Sequence, residues 1–276
     1  MLHSLNDLKK CEIGATDGSI GHVKDVYFDD DAWVVRYLVV DTGTWLKSRK
    51  ILISPMSIGH PDWAGNVLPV SINKEQVKNS PELDTDRPVS RQSEVEYLGY
   101  FGYPNYWGGV GIWGGSDYPG MLTTGVGFAG QTDESRRKRK WQEENRADGV
   151  RLRSADPHLR SGTEVIGYHI HATNGEVGPV QGMLVDEKTW SIRYLVVETS
   201  DWWLGHRVLV SPRWIRAVDW ATDSVVVDLT RESIKGAPPY ESAARFDREH
   251  ETDLYRHHAR RGYWDPHVIH DDGVAA

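Results

Sequence analysis

Two arginines are the first residues of this sequence whose type and position could carry a specific chemical role. Arg36 and Arg193 each begin the pentapeptide Arg-Tyr-Leu-Val-Val and stand inside a run of apolar residues. A guanidinium group keeps its charge and binds carboxylates or phosphates through paired N–H donors. We favour an arginine whose aliphatic stem covers apolar surface while its head pairs with a nearby Asp or Glu. The alternative is a direct contact of both arginines with a binding partner.

No combination of residue types that is typical of a catalytic site stands out in both of the segments that contain these arginines. Nucleophilic catalysis needs a Ser, Cys or Lys beside a base, and acid–base catalysis needs positioned carboxylates or histidines. Cys11, the single cysteine, has Tyr168 as its counterpart and lies in a predicted strand, where a buried thiol is usually inert. We therefore predict a protein that is not an enzyme and has no catalytic residues.

Acidic and histidine-rich segments raise the question of a metal site. Asp29-Asp30-Asp31 occupies a predicted turn, where acidic residues are common, and it lacks the spacing of an EF-hand loop. The last 27 residues contain five histidines, but the matching part of the first half has none. Their spacing fits no zinc motif. We predict no metal site.

Two glycine-rich segments, Gly109–Gly114 and Gly125–Gly130, match the pattern G-x-G-x-x-G. A dinucleotide site needs a strand before this motif and a helix after it, and the flanking residues predict neither. Residues 108–130 contain nine glycines, so a chance match is expected. We interpret this segment as a flexible linker or an irregular loop and predict no cofactor.

A basic run follows the glycine-rich segment. Its five residues are Arg136, Arg137, Lys138, Arg139 and Lys140. Such a run could contact a polyanion, either RNA or an anionic lipid surface. The interpretation we favour is a solvated helical linker, because Glu143 and Glu144 follow one turn later and can pair with it.

Both arginines lie in a stretch that occurs twice, Trp33–Pro55 and Trp190–Pro212, and the copies align without a gap. Alternation predicts a strand with Trp33, Val35, Tyr37 and Val39 on one face and Val34, Arg36, Leu38 and Val40 on the other. We expect the first face to line the core. The second is also apolar, so a helix or the other repeat must cover it. The candidate interface for two-fold pairing of the repeats is Arg36, Leu38, Val40, Arg193, Leu195 and Val197.

The duplication extends beyond this stretch. Residues 13–81 and 170–238 share 26 identities in 69 positions. Capping patterns predict a short helix after Asn73 and after Thr230, and Ser90–Phe101 and Ala243–Arg260 are also predicted helices. The tail residues Arg91, Glu94, Tyr106 and Trp107 recur as Arg248, Glu251, Tyr263 and Trp264. We predict repeat 1 over 1–107, a glycine-rich and then basic linker over 108–157, and repeat 2 over 158–276.

Composition favours an ordinary globular protein. The 276 residues are 39% hydrophobic and carry a net charge of −8, which disfavours general coating of nucleic acid. We predict neither a signal peptide nor a transmembrane segment. With one cysteine, no disulfide can form within the chain, and a cytoplasmic location is expected.

The duplicated pattern resembles the PRC-barrel domain. The residues that carry the resemblance are Gly18, Gly21, Asp29, Trp33, Arg36–Val40, Thr42, Trp45 and Ile53–Pro55, with their counterparts in the second copy. The family is named for the cytoplasmic domain of the H subunit of photosynthetic reaction centres, and a similar barrel occurs in a ribosome-maturation factor. The resemblance implies a mainly β fold with two small barrels in tandem, short flanking helices and a linker.

The resemblance also implies a docking role. The H subunit carries a transmembrane helix and the ribosome factor a different N-terminal barrel, and this sequence predicts neither. We therefore predict a non-enzymatic scaffold or adaptor that docks onto a protein or a membrane-associated complex. The alternatives are an accessory component of a photosynthetic or electron-transport complex and a ribosome or RNA maturation factor. Nucleic acid is expected to bind only through the basic run, and the repeats are expected to pair internally or form a homodimer.

Overall fold

The computed structural model describes residues 1–46, 49–81, 89–107, 109, 111–119, 158–199, 206–241 and 246–265. This part of the chain is mainly β, with thirteen strands in two sheets and five short helices. The basic run Arg136–Lys140 and the segment Gly125–Gly130 lie outside the described residues. No helix in the described part of the chain has the length and apolar character needed to cross a membrane.

The first sheet is built from the first repeat. Its strands are β2 (Glu12–Ala15), β3 (Gly18–Asp29), β4 (Val34–Asp41), β5 (Lys50–Ile53) and β6 (Val67–Pro69). They pair in the order β5-β4-β3-β2-β6, and only the β2–β6 pair is parallel. The second sheet repeats this order as β11-β10-β9-β8-β13-β12. Its strands are β8 (His169–Ala172), β9 (Gly175–Asp186), β10 (Ile192–Glu198), β11 (Arg207–Val210), β12 (Ile215–Asp219) and β13 (Ser224–Val227). The pairings among the described residues do not close either sheet into a barrel.

The turn between β3 and β4 shows why its sequence repeats. The Asp29 carboxylate accepts hydrogen bonds from the backbone N–H groups of Asp31 and Ala32, and Trp33 adopts a φ of 53°. Asp186 accepts from two backbone N–H groups in the same way, and Trp190 has a φ of 60°. Asp29 therefore forms the turn with its side chain, as acidic turn residues commonly do.

The two faces of β4 are the reverse of the assignment from sequence. Leu38 lies directly opposite Val26 and Ile53, and directly opposite residues share a face. All three side chains are buried, so this face lines the core. Tyr37 points the other way and packs edge-on against Tyr97 of a helix, with 5.3 Å between ring centroids. The predicted core face is thus the face that the helix covers.

The same reversal holds in the second repeat. Leu195 lies opposite Val210, and Val197 lies opposite Val208, all of them buried. Tyr194 packs against aromatic rings outside the sheet instead. Both faces of these strands are apolar, so the alternation alone could not tell the interior face from the covered one. The interface role expected for Leu38, Val40, Leu195 and Val197 rested on the opposite assignment, and pairing of the repeats about a two-fold axis stays a prediction.

The described residues form five α-helices beside the sheets: α1 (Leu5–Lys10), α2 (Lys74–Lys78), α3 (Arg91–Phe101), α4 (Arg231–Lys235) and α5 (Arg248–His257). The predicted capping box before α2 is confirmed, because the Asn73 side chain accepts from Gln76 N–H and the Gln76 side chain accepts from Asn73 N–H. Thr230 caps α4. The predicted helix at Ser90–Phe101 begins one residue later, with Ser90 as its N-cap.

Two short strands join sheets to which they do not belong in sequence. The β7 strand (Leu159–Ser161) opens the second repeat but pairs with β3 of the first sheet. The β1 strand (Leu2–Ser4) opens the first repeat and pairs with β9. Contacts accordingly divide the chain into two compact units. The first unit holds His3–Glu164 with Val185–Ile192, and the second holds Met1–Leu2, Val165–Leu184 and Arg193–Ala276.

Candidate functional site

A polar cluster inside the first unit collects the arginine singled out by sequence. Arg36 and Tyr37 come from β4, where an irregularity in the β3–β4 register falls between Tyr37 and Val35. Arg91 and Glu94 come from the first turn of α3. The chain then leaves α3 through a left-handed glycine, Gly102, and supplies a tyrosine and two tryptophans, Tyr106, Trp107 and Trp113.

Glu94 is the centre of this cluster, and its side chain is fully buried. Its Oε1 accepts hydrogen bonds from the hydroxyls of Tyr37 at 3.1 Å and Tyr106 at 2.5 Å. Its Oε2 lies 3.2 Å from Arg91 Nη1 and 2.8 Å from His158 Nε2. Four partners thus surround one carboxylate, which is how a buried charge is stabilised.

The two tyrosines act as donors because their phenols stay protonated. Burial, followed by the negative charge of Glu94, raises the pKa of Tyr37 well above its usual value. Burial and the same carboxylate also raise the pKa of Tyr106 well above its usual value. A neutral phenol keeps its O–H and so remains a hydrogen-bond donor to the carboxylate at neutral pH.

Arg36 lies over the cluster with only 3% of its surface exposed. Its guanidinium carbon is 3.9 Å from the centroid of the Tyr106 ring and 4.9 Å from that of Trp113. Its head donates to the Asp29 carboxylate at 3.3 Å and to the carbonyl of Ile112. The favoured interpretation of Arg36, an arginine paired with a nearby acid, is confirmed.

The second unit contains the same cluster from the duplicated residues. The hydroxyls of Tyr194 and Tyr263 donate to Glu251 Oε1 at 2.9 and 2.8 Å, and Arg248 Nη1 lies 2.8 Å from its Oε2. Arg193 lies over the Tyr263 ring at 4.0 Å, as Arg36 does over Tyr106. Duplication has therefore preserved a geometry as well as a sequence.

The side chains of these clusters attach one segment of the chain to another. Stacked arginines and shared carboxylates fix the tail after each long helix to the sheet below it. The recurrence of Arg91, Glu94, Tyr106 and Trp107 was visible in the sequence, but the role of Glu94 as their centre was not.

Trp113 was missed by sequence analysis. It falls in the segment interpreted as a flexible linker or an irregular loop, yet it is fully buried. Its indole Nε1 donates to the carbonyl of Thr189 at 2.8 Å. The described part of that segment forms neither a helix nor a long strand, so it is an irregular loop, and it lies beside Arg36. A tryptophan among glycines was the signal that could have revealed this.

Exposed aromatic side chains mark a second feature of the first unit, which we call the α2 surface and define as Trp45, Lys74 and Tyr100. Trp45 is 36% exposed and Tyr100 is 41% exposed. The Lys74 ammonium lies 5.6 Å from the centroid of the Trp45 ring. The Tyr100 hydroxyl donates to the carbonyl of Gln76 at 2.9 Å, which holds its ring beside α2.

Arginines already pair with two of the three carboxylates in the acidic turn. The carboxylates of Asp29, Asp30 and Asp31 lie within 4.8 Å of one another, but Asp29 pairs with Arg36 and Asp30 pairs with Arg160 at 2.8 Å. Both partners are cations that compete with a metal ion. Of the C-terminal histidines, His267 and His270 lie outside the described residues.

Comparison with known proteins agrees with the architecture. Residues 2–76 match the PRC-barrel domain family. The chain is also 32% identical over 105 residues to an uncharacterized protein of Deinococcus radiodurans, an alignment that covers 33% of this chain and 38% of that relative. The chain therefore matches well under half of the relative's length. The match places a PRC-barrel domain at residues 2–76, and the sheet built from the second repeat follows the same strand order.

Proposed function

We propose that this protein is a non-enzymatic adaptor that docks onto a protein partner through the α2 surface. The observation that carries the proposal is the contrast between the two polar features of the first unit. The Arg36–Glu94 cluster is buried and uses its charges internally, whereas Trp45, Lys74 and Tyr100 present aromatic area and a cation at the surface.

The chemistry of the α2 surface suits a protein partner. Tryptophan and tyrosine are enriched among the residues that dominate binding energy at protein interfaces. Both rings are held by hydrogen bonds of their polar atoms, Trp45 Nε1 to Ile20 O and Tyr100 OH to Gln76 O, so little side-chain entropy remains to be lost on binding. The net charge of −8 disfavours nucleic acid as the general partner.

A matching position exists in the second repeat. Arg231 is the counterpart of Lys74, and His257 is the counterpart of Tyr100. His257 Nε2 lies 2.8 Å from the carbonyl of Ser233, the same backbone position that Tyr100 contacts in the first repeat. Trp202, the counterpart of Trp45, lies outside the described residues. An adaptor with two related surfaces would engage two sites on one partner or two partners.

The test compares variants of the full chain purified by an affinity tag from the native cell. Proteins that co-purify with the wild type are quantified against the double variant Trp45→Ala, Tyr100→Ala. We expect their recovery to fall about tenfold or more. Tyr118→Ala, which removes an exposed tyrosine outside the α2 surface, is the matched control and should leave recovery unchanged. Equal recovery with all three proteins would refute docking through this surface.

The two alternative functions rest on narrower grounds. A role beside a photosynthetic or electron-transport complex follows from the family name alone, and co-purification with membranes would favour it. A role in ribosome or RNA maturation follows from the run Arg136–Lys140, and salt-sensitive co-sedimentation with ribosomal subunits would favour it.

A further inference from the structure

The first sheet is completed by a strand from the other half of the sequence. In β7, Leu159, Arg160 and Ser161 lie opposite Asp29, Phe28 and Tyr27 of β3. The pairing is extended at both ends, since Gly162 N–H donates to Val26 O at 2.8 Å and Asp30 N–H donates to His158 O at 3.0 Å. The β3 strand is therefore bound along this edge by a segment that opens repeat 2.

Side chains reinforce this pairing. Asp25 Oδ1 accepts from the backbone N–H and the hydroxyl of Thr163 at 2.9 and 2.7 Å, and its Oδ2 accepts from the Ser161 hydroxyl at 2.5 Å. Arg160 Nε donates to Asp30 at 2.8 Å. His158 reaches the buried carboxylate of Glu94. The donated segment thus makes charged contacts both with the sheet and with the polar cluster.

The corresponding strand of the first repeat pairs in the same way with the second sheet. Leu2–Ser4 and Leu159–Ser161 occupy the same position in the two repeats, with the sequences Leu-His-Ser and Leu-Arg-Ser. Leu2–Ser4 pairs with β9, the counterpart of β3. His3 Nε2 lies 3.0 Å from Glu187, and these residues are the counterparts of Arg160 and Asp30. The first strand of each repeat therefore pairs with the sheet of the other repeat.

We propose that the β3 edge at Tyr27–Asp29 is a strand-binding site whose occupant is the first strand of the other repeat, and that this exchange helps to keep the two repeats joined when the connecting segment is cut. An unpaired strand edge presents free N–H and C=O groups that favour pairing with another strand. Two such pairings, made in opposite directions, add to the backbone hydrogen bonds of Val35 with Trp190 and of Ile192 with Trp33. The connecting segment then serves to keep the two halves at a high effective concentration during folding.

The experiment uses the full chain with a specific protease site substituted for residues 125–130. The protein is purified intact, cut under native conditions and measured by size-exclusion chromatography with light scattering at about 1 μM. We expect one species with the mass of the whole chain, 31.3 kDa, that yields two bands on a denaturing gel. Separation of the two fragments after cutting would overturn the proposal.

A variant identifies the strand as the cause of association. A Cβ at Gly162 would lie 2.6 Å from Val26 Cγ2 and 3.4 Å from Leu5 Cδ2, so Gly162→Val should displace β7 and weaken the association of the cut halves. Gly182→Ala is the control, because a Cβ there meets Val196 at an ordinary 3.8 Å. Cut halves that associate as tightly in a folded Gly162→Val protein as in the wild type would show that β7 does not join them.

A disulfide gives a readout that does not depend on the Gly162 variant folding. Tyr27 and Ser161 lie directly opposite each other, and opposite Cα atoms in an antiparallel pair are about 4.5–5.5 Å apart, within the range for a disulfide. Tyr27→Cys with Ser161→Cys should join the two cut fragments covalently, giving one band without reductant and two with it. Failure to cross-link, or a covalent species of twice the mass, would overturn exchange within one chain.

Discussion

At the scale of single residues, Glu94 is the centre of the polar cluster in the first unit, and Glu251 is the centre of the equivalent cluster in the second. Each carboxylate is buried and accepts from two tyrosine hydroxyls and an arginine. A buried charge that loses one partner leaves the others unsatisfied, so the cluster stabilises the fold only as a complete set.

Glu94→Gln should destabilise the first unit by about 3 kcal/mol, because the neutral amide leaves Arg91 and His158 without their carboxylate. The measurement is urea unfolding of the full chain followed by tryptophan fluorescence. Glu96→Gln, on the exposed face of the same helix, is the control and should change the free energy of unfolding by no more than about 0.5 kcal/mol. Equal effects of the two substitutions would contradict the central role of Glu94.

His258 should make stability depend on pH. Burial lowers the pKa of His258 to about 4, so the unfolded chain binds a proton at a higher pH than the folded chain does. Stability is then full above the unfolded pKa of about 6.5 and falls as the pH drops towards 4. The loss should be about 1–2 kcal/mol after allowing for solvent screening.

The first repeat supplies the variant that tests this. Its counterpart of His258 is Phe101, so His258→Phe should fit the site and remove this part of the pH dependence between pH 7 and 4. Thermal unfolding across that range is the measurement. His60→Gln, which replaces an exposed histidine, is the control variant. A slope that survives in His258→Phe would assign it to other groups.

At the scale of elements, β4 shows how two apolar faces are used. Leu38 is in the core opposite Val26 and Ile53, while Tyr37 anchors α3 through Tyr97 and Glu94. The strand therefore serves as the layer between the sheet interior and the helix, which explains why it has almost no polar side chains.

Leu38→Asp should unfold the first unit, with a loss of about 4 kcal/mol or more, because it buries an unpaired charge. Circular dichroism and urea unfolding measure the effect. Lys24→Asp places the same charge at an exposed position of β3 and should be tolerated. A folded Leu38→Asp protein in which only the association of the two repeats is lost would restore the sequence-based assignment of the faces.

The role of the basic run Arg136–Lys140 stays a prediction. If it contacts a polyanion, replacing all five residues with Gln should abolish binding to RNA or anionic vesicles at about 50 mM salt, and wild-type binding should weaken steeply as salt rises. Fluorescence anisotropy with labelled RNA and vesicle co-sedimentation measure the two cases. No binding by the wild type at low salt would leave the run as a solvated linker.

At the scale of the whole molecule, the chain forms two compact units whose boundaries do not coincide with the sequence repeats. Repeat 2 contributes 158–164 and Val185–Ile192 to the first unit, and the second unit includes Met1–Leu2. The β7 strand of repeat 2 pairs with β3 of repeat 1, and the β1 strand of repeat 1 pairs with β9 of repeat 2.

Limited proteolysis should cut the chain between residues 119 and 158 and leave two protected fragments. The glycine-rich composition of 108–130 supports this, but Trp113 is buried, so cleavage before residue 119 should be slow. Mass spectrometry of early fragments locates the cuts. Rapid cleavage beside Trp113 would contradict its burial, and protection of the whole segment would contradict its role as a linker.

The duplication, the strands, the helix caps and the PRC-barrel domain at residues 2–76 followed from the sequence, because each depends on residues that are near one another in the chain or repeat at a fixed offset. Asn73 with Gln76 and the paired Arg-Tyr-Leu-Val-Val segments are of this kind. Only the tertiary structure decided which face of β4 is interior, that Glu94 gathers Tyr37, Tyr106 and His158, and that β7 completes the first sheet. Alternation with period two does not distinguish two apolar faces, and a three-residue strand pairs by long-range contacts that leave no local pattern.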